Sequence, residues 1–192
     1  GSRPCSSVTF VDASGNRTDQ TEAFQTGKEL LLDQPGRLEV CPGTWFALVT
    51  VHAAVKVLGT SGDRTETLLS GGDAGSVLVV EGPSASLTVE GVVLERGAAR
   101  GERNAASGGG LRCTDGASAT LHDVVVRDNF AYDGGGLYAG SGCTLLVEDS
   151  ILERNTSSDD GGALRLDDSV ATLRNVVVRQ SRAKDGGAVI AW

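Results

Sequence analysis

The sequence feature that most constrains the fold is a repeat of about 26 residues in the second half of the chain. Glycine-rich markers begin at positions 108, 134, 161 and 186, which are 26, 27 and 25 residues apart. The markers are Gly108–Leu111, Gly134–Leu137, Gly161–Leu164 and Gly186–Val189. A unit of this length that lacks a helix-length periodic segment predicts a coil of short strands, not a pair of helices.

A second marker, an apolar run centred on Asp or Asn, lies between the glycine markers. Its copies are Leu121–Val126, Val147–Leu152 and Leu173–Val178, with looser earlier copies at Val89–Leu94 and Val55–Gly59. Strands of successive coils would pair in parallel at about 4.8 Å, so equivalent residues would stack in columns. We therefore predict an all-β fold, a right-handed parallel β-helix (solenoid) of about six coils. Residues 37–192 would form the coils of a single domain, with an insertion loop at about 97–107.

The columns can be counted from the central residue of each run. These central residues are Gly91, Asp123, Asp149 and Asn175. Three positions later the residues are Leu94, Val126, Leu152 and Val178, which we expect to point inward. Six positions later they are Gly97, Asn129, Asn155 and Ser181. Asn at this position is expected to adopt left-handed dihedrals in a tight turn and to bond to the neighbouring coil.

Charged residues also follow the predicted columns. Four positions after the central residue the chain has Glu95, Arg127, Glu153 and Arg179. Five positions after it the chain has Arg96, Asp128, Arg154 and Gln180. The sign alternates along both columns, and opposite charges that neighbour each other across strands are stabilising. The alternation therefore supports the proposed register independently of the apolar pattern.

Residues 3–36 are predicted to form an N-terminal strand and an amphipathic capping α-helix. Asp19–Glu22 has the pattern of a capping box. Ala23, Phe24, Leu30 and Leu31 would form the apolar face, and Pro35-Gly36 would end the helix. A helix here would cover the apolar end of the stack, which otherwise leaves open sheet edges.

The other end of the stack has no comparable segment. The last residues, 186–192, begin a new coil. Three interpretations remain open: further coils followed in a longer protein, Trp192 folds over the end, or another chain covers it. Self-association through this open C-terminal coil is one consequence.

Four cysteines are present, without a CxxC pair or a zinc-type Cys/His spacing. An even number of cysteines in an acidic, glycine-rich chain favours an oxidising compartment. Pairing by neighbourhood predicts the disulfides Cys5–Cys41 and Cys113–Cys143, the latter between consecutive coils. The alternative is four buried free thiols.

The repeats resemble a known family. Glycine markers such as Gly161–Leu164, followed by an apolar residue three positions before Asn (Val126 to Asn129), resemble the GGA[ILV] and FxxN repeats of chlamydial polymorphic outer-membrane proteins. The resemblance covers residues 87–192, with Val or Leu in place of Phe. The segment 41–45 (CPGTW) resembles the opening of secreted pectin-lyase-like β-helix proteins. These resemblances imply a secreted or surface-exposed protein, either an adhesin or passenger domain or a polysaccharide lyase or hydrolase.

Acidic residues precede three of the glycine markers, at Asp133, Asp160 and Asp185. One interpretation is that each Asp caps the glycine amides that follow it. The other is an acidic ladder that holds Ca²⁺ between coils, because hard cations take several oxygen ligands. We expect no catalysis from these residues and no other cofactor.

Other candidate groups have structural explanations. The histidines are His52 and His122, and His122 is predicted to be an outward residue between Glu90 and Glu148. Simple strand alternation also predicts an apolar stripe on the outside, formed by Val93, Val125, Ile151 and Val177. The stripe is either a common half-exposed strand face or a surface covered by another chain or by the insertion. Tyr132 and Tyr138, in successive turns, are candidates for stacking on sugar.

The composition narrows the classes of function. A net charge of −8 makes binding to nucleic acid or to anionic membranes unfavourable. A membrane span needs about 20 consecutive apolar residues, and no apolar run in the sequence approaches that length. We expect a non-catalytic module, extracellular or in the cell envelope, that serves as a scaffold, an adhesin or a binding surface for a protein or glycan. The rival is a carbohydrate-active β-helix enzyme whose site lies outside or at the edge of this chain.

Overall fold

The computed structural model describes residues 5–101 and 106–191. About half of these residues belong to short strands, and most of these strands stack into three parallel sheets, the architecture typical of a parallel β-helix. Each coil contributes one strand to each sheet, always in the order sheet 1, sheet 2, sheet 3. The described residues form six such coils, which confirms the predicted number.

The coil strands are as follows. Sheet 1 contains β4 (Gly36–Val40), β7 (Ala54–Gly59), β10 (Ser86–Glu90), β13 (Ser118–His122), β17 (Thr144–Glu148) and β21 (Val170–Arg174). Sheet 2 contains β5 (Gly43–Phe46), β8 (Thr67–Ser70), β11 (Val93–Glu95), β14 (Val125–Arg127), β18 (Ile151–Glu153) and β22 (Val177–Arg179). Sheet 3 contains β6 (Val49–Val51), β9 (Leu78–Glu81), β12 (Leu111–Thr114), β16 (Leu137–Gly140), β20 (Leu164–Asp167) and β23 (Val189–Ala191). A further parallel pair, β15 (Phe130–Ala131) and β19 (Thr156–Ser157), joins coils 4 and 5 outside these sheets.

The register of the coils agrees with the repeat. Leu121 pairs with Val147 in the next coil, and Val126 pairs with Leu152. These side chains are fully buried and contribute to one continuous apolar core. Small and branched side chains therefore fill the interior in columns, as the repeat predicts.

The front of the stack differs from the prediction. β1 (Val8–Asp12) pairs antiparallel with β4, and β2 (Arg17–Asp19) pairs antiparallel with β1. The helix α1 (Thr21–Thr26) has only six residues and ends at Gly27, which adopts a left-handed conformation with φ +70°. The following residues form β3 (Leu30–Leu32), which pairs in parallel with β6.

The prediction of an amphipathic capping helix that extends to Pro35 is therefore wrong. Leu30 and Leu31 are strand residues, because Gly27 ends the helix and the segment after it completes sheet 3. Phe24, in α1, is nevertheless buried against the core. The cap at this end consists of an antiparallel hairpin and a single short helix.

The tight turns also differ in detail. The left-handed residues lie one position before the Asn column, at Asp128 and Arg154, with φ of +54° and +52°. Asn129 and Asn155 are themselves buried, and their side chains point inward. The Nδ2 of Asn129 donates to the carbonyl of Leu94 at 3.0 Å and to Oδ1 of Asn155 at 3.0 Å. The Asn ladder is thus present, but the preceding residue makes the bend, which leaves the Asn side chain free to bond between coils.

The back of the stack is open in the described residues. Side chains of coil 6 whose equivalents are buried in earlier coils are exposed here, for example Leu173 at 40 % and Val177 at 50 %. Trp192 and residues 102–105 of the predicted insertion loop lie outside the described residues. In the part of the chain that the structure describes, no helix is long and apolar enough to cross a membrane.

Candidate functional site

A group of three carboxylates lies in the turns that lead into sheet 3. Asp133 precedes β16, and Asp159 and Asp160 precede β20. One carboxylate oxygen of each lies within 4.8 Å of the others. Asp185 does not belong to this group: its main chain bridges to Asp160, but its side chain is mostly exposed. The structure thus brings together two of the three predicted residues, with Asp159 as the third member in place of Asp185.

Arg165 of β20 bridges two members of this carboxylate cluster. Its Nη1 lies 2.9 Å from Oδ1 of Asp133 and also contacts the carboxylate of Asp160. Lys184 Nζ lies 3.3 Å from Oδ1 of Asp159. The chain therefore offsets most of the charge of the three carboxylates with two cations of its own, and a Ca²⁺ ion bound here would have to displace a guanidinium. The donor set fits Ca²⁺ poorly while Arg165 is in place, although the oxygen ligands themselves are suitable.

Burial of Asp133 raises the pKa of its carboxyl group, and the nearby Arg165 only partly opposes this effect. The ion pair explains how a buried carboxylate is tolerated, because the charge is hydrogen-bonded and paired. The charge pattern of the sequence did not identify Arg165. This residue lies on the outer face of β20, in a column along which charges of opposite sign do not alternate.

The interpretation of these Asp residues as caps of glycine amides is wrong in its detail. The N–H of Gly134 donates to the main-chain carbonyl of Asp160, and the N–H of Gly161 donates to that of Asp185. The acceptor is thus the backbone of the next coil, since the turns stack as strands do. The side chains remain available for Arg165.

The two tyrosines do not form an exposed pair. Tyr138 is only 5 % exposed, between Arg112 of β12 and Arg165 of β20. Its hydroxyl donates to Oδ2 of Asp167 at 3.4 Å, and burial raises its pKa. Tyr132 is half-buried, and its carbonyl accepts from the hydroxyl of Ser157. The ring of Tyr138 therefore offers no open face for stacking on sugar.

The predicted apolar stripe is largely buried. Val93 and Val125 are almost inaccessible to solvent, Ile151 is half-buried, and only Val177 in coil 6 is exposed. The core cluster contains their neighbours Val92, Leu94, Val124 and Val126 but neither Val93 nor Val125, so these two side chains are covered from outside and are not packed into the core. One segment that reaches this side is the connection between β7 and β8: Arg64 bonds to Oδ1 of Asp123 at 2.6 Å.

Both histidines face single carboxylates. His52 Nε2 lies 3.1 Å from Glu81, and His122 Nδ1 lies 3.7 Å from Asp149. His122 borders an open groove of about 320 Å³ that also contains Glu90 and Asp123. These carboxylates are engaged elsewhere. Glu90 pairs with Lys56, Asp123 with Arg64, and Asp149 accepts from Asn175.

The alternating charges form the expected ion pairs along the axis. Arg127 pairs with Glu95 at 2.8 Å, and Arg179 pairs with Glu153 at 2.5 Å. In the neighbouring column Arg154 pairs with Asp128 at 2.8 Å. Burial acts to raise the pKa of Glu153, but the hydrogen bonds from Arg179 and Arg154 outweigh it and hold that pKa below its ordinary range.

Both predicted disulfides are present. Cys5 is bonded to Cys41, which fixes the N-terminal segment to β4, and Cys113 is bonded to Cys143 across coils 3 and 4. The alternative of four free thiols is wrong, because the described residues contain no free cysteine. Two disulfides indicate an oxidising, extracytoplasmic environment.

The chain was compared with protein-family models, with curated proteins and with solved structures, and none of the three comparisons found a match. The fold and the site geometry are therefore the basis for any functional conclusion.

Proposed function

We propose that this chain is a non-catalytic module of an extracellular or cell-envelope protein, a right-handed parallel β-helix that acts as a scaffold and binding surface. The right-handed winding is part of the proposal, because parallel crossover connections are right-handed in nearly all proteins. The proposal also includes the resemblance to pectin-lyase-like proteins and to chlamydial surface repeats. This resemblance supports a secreted or adhesive role.

The observation that supports a non-catalytic role is the state of the carboxylate cluster. Acid–base cleavage of a glycosidic bond needs two carboxyl groups that flank an open space for the substrate and are free to exchange protons. Asp133 and Asp160 instead share the guanidinium of Arg165, and Asp159 pairs with Lys184. This arrangement joins coils 4, 5 and 6 and is the arrangement expected of a structural element.

The disulfides support the location. A buried bond between Cys113 and Cys143 persists only where thiols are oxidised, which favours a secreted or surface protein over a cytosolic one. The partner in this proposal is a glycan or a protein at the cell surface.

The rival function, a polysaccharide lyase or hydrolase, can be tested directly. The chain is incubated with a panel of acidic and neutral polysaccharides, with and without millimolar Ca²⁺, and new reducing ends and unsaturated products are measured. We expect no cleavage. The matched control is the Asp133→Asn variant, because cleavage by a contaminating enzyme would be the same in both samples. Cleavage that Asp133→Asn abolishes would establish the enzyme and overturn the proposal.

A further inference from the structure

A groove of about 380 Å³ opens at the corner where sheet 2 ends in coils 5 and 6. It is lined by Arg154, Thr156, Gln180 and Arg182. Arg154 and Gln180 adopt left-handed conformations, with φ of +52° and +56°. The chain therefore turns sharply after β18 and again after β22. We call Arg154 and Gln180, at the turns, the first wall of the groove, and Thr156 and Arg182, which follow the turns, the second wall.

The second wall is fixed by main-chain hydrogen bonds. The N–H of Arg182 donates to the carbonyl of Asn155 at 2.9 Å, and its own carbonyl accepts from the N–H of Ser157 at 2.8 Å. Thr156 and Arg182 are bridge partners, so they are neighbours at strand spacing. The main-chain hydrogen bonds therefore fix the spacing of the two side chains.

The two arginines of the groove differ in how they are paired. Arg154 bonds to both oxygens of Asp128, at 2.8 and 2.9 Å, and this raises its pKa. Arg182 is exposed and has no ion pair among the described residues, unlike its coil-6 neighbours Arg179 and Lys184. The described residues that line the groove include no carboxylate. Arg182 is therefore available to an anion from solution, although the chain as a whole carries a net charge of −8.

An exposed aromatic ring continues the same wall. Phe130 of β15 pairs with Thr156 of β19 and is 40 % exposed. The column Phe130, Thr156, Arg182 thus presents an apolar ring, a hydroxyl and a guanidinium at successive strand spacings of about 4.8 Å. Gln180 lines the same groove.

We propose that this groove binds an anionic saccharide, a sugar chain that carries carboxylate or sulfate groups. Arg182 binds the anion through charge-assisted, bidentate hydrogen bonds. Thr156 and Gln180 bond to sugar hydroxyls, and the ring of Phe130 packs against the apolar face of a sugar ring. This inference rests on the proposed binding function and names the surface and the ligand class for it.

Isothermal titration calorimetry of the full chain tests the proposal. The probes are a hyaluronan hexasaccharide, which carries carboxylates only, a chondroitin sulfate hexasaccharide, which adds sulfates, and the carboxyl-reduced hyaluronan hexasaccharide, which is neutral. Oligoglutamate of equal charge represents an acidic peptide. We expect at least one anionic saccharide to bind, the neutral one to bind at least tenfold more weakly, and binding to weaken with added salt. The preferred anionic saccharide shows whether carboxylate or sulfate is recognised.

Two variants place the ligand in the groove. Arg182→Gln should weaken binding by about tenfold or more, because it removes a charged hydrogen-bond donor. Phe130→Thr, which keeps a strand-forming residue, should weaken it severalfold. Lys28→Gln, which removes an exposed positive charge at the front of the stack, is the matched control and should have no effect. Circular dichroism verifies that each variant is folded.

Several results would overturn the proposal. Equal affinity of Arg182→Gln and the unchanged chain would place the ligand elsewhere and leave the proposed binding function intact. Binding of oligoglutamate alone, with dependence on Arg182, would identify a peptide site instead. Absence of binding by every probe would reject this ligand class. The cleavage assay tests the proposed function separately. If a probe is broken down and this breakdown requires Asp133, the chain is an enzyme and the proposed function is wrong.

Discussion

Coil 4 and coil 6 have nearly the same sequence pattern but very different surroundings. Leu121 of coil 4 is fully buried, whereas Leu173, two coils later in the same column, is 40 % exposed. Val125 is 7 % exposed, and its equivalent Val177 is 50 % exposed. The side chains differ little, so the difference comes from the neighbours. These columns are buried where another element of the chain covers them on both sides.

The front of the stack shows how such an end can be covered. The hairpin β1–β2 pairs antiparallel with β4, and α1 brings Phe24 onto the core. The antiparallel pairing ends the series of parallel coils at this edge of sheet 1. Stability should therefore be high from the front through coil 5 and low in coil 6.

The largest expected effect comes from truncating a leucine in a covered coil. Leu121→Ala should lower the free energy of unfolding by about 3 kcal/mol, because it leaves a cavity between two coils. Leu173→Ala, its matched control in coil 6, should cost less than about 1 kcal/mol, because its side chain is already partly solvated. Urea titration of both variants measures the difference. Equal losses would show that coil 6 is covered in solution.

The Asn ladder provides a second pair of variants. Asn155→Ala removes the acceptor of two bonds from Asn129 and the donor to the carbonyl of Val126, all in the buried interior. We expect a loss of about 2 kcal/mol, because buried polar groups are left unsatisfied. Ser181→Ala, which removes a single bond to the N–H of Asn155 in the open coil, should cost well under half as much. Coinciding thermal unfolding curves of Asn155→Ala and Ser181→Ala would show that the Asn ladder stabilises the covered coils no more than the open coil.

Arg165 tests the carboxylate cluster. Arg165→Gln should destabilise the chain by about 1–2 kcal/mol, because it leaves the buried carboxylate of Asp133 without its ion pair. The variant should also gain stability on addition of millimolar Ca²⁺, which can then take the vacated position. The unchanged chain and an Asp185→Asn control should show little response to Ca²⁺. A strong Ca²⁺ response of the unchanged chain would indicate that the ion displaces Arg165.

The smallest effect concerns the pH dependence of the charge ladder. The pKa of Glu153 is lowered from its ordinary value of 4.5, so this carboxylate contributes stability that is fully present above pH 4.5. The contribution is lost as the pH falls below 4.5 through the folded-state pKa. We expect Glu153→Gln to cost about 1 kcal/mol at pH 7 and much less at pH 3, as measured by urea titration at both pH values. An equal cost at both would show that the charge of Glu153 is unimportant.

The repeating part of the fold could be predicted from the sequence because equivalent residues stack. Register, number of coils, inward columns, ion-pair columns and the Cys113–Cys143 pairing follow once the period is known. The bend could not be placed to one residue, since Asp128 and Asn129 both tolerate turns and only the hydrogen bonds of the Asn side chain decide between them.

The other errors concern features that do not repeat. The end of α1 depends on Gly27 and on the pairing of β3 with β6, and neither has an equivalent in another coil. Arg165 and Arg64 reach carboxylates outside their own columns, so column patterns cannot predict these contacts. The groove at the corner of coils 5 and 6 could not be predicted either. It depends on which side chains are exposed and on Arg182 having no ion pair among the described residues, and both are properties of the three-dimensional structure.

Amide hydrogen exchange, resolved by peptide, tests the account most directly. Amides of β13 and β17 lie between paired strands in sheet 1, whereas β21 has a described strand on one side only. The account predicts slow exchange in β13 and β17, and exchange faster by orders of magnitude in β21, β22 and β23. Equal protection of the strands of coil 6 and those of coil 4 would contradict it, because it would mean that coil 6 is covered in solution.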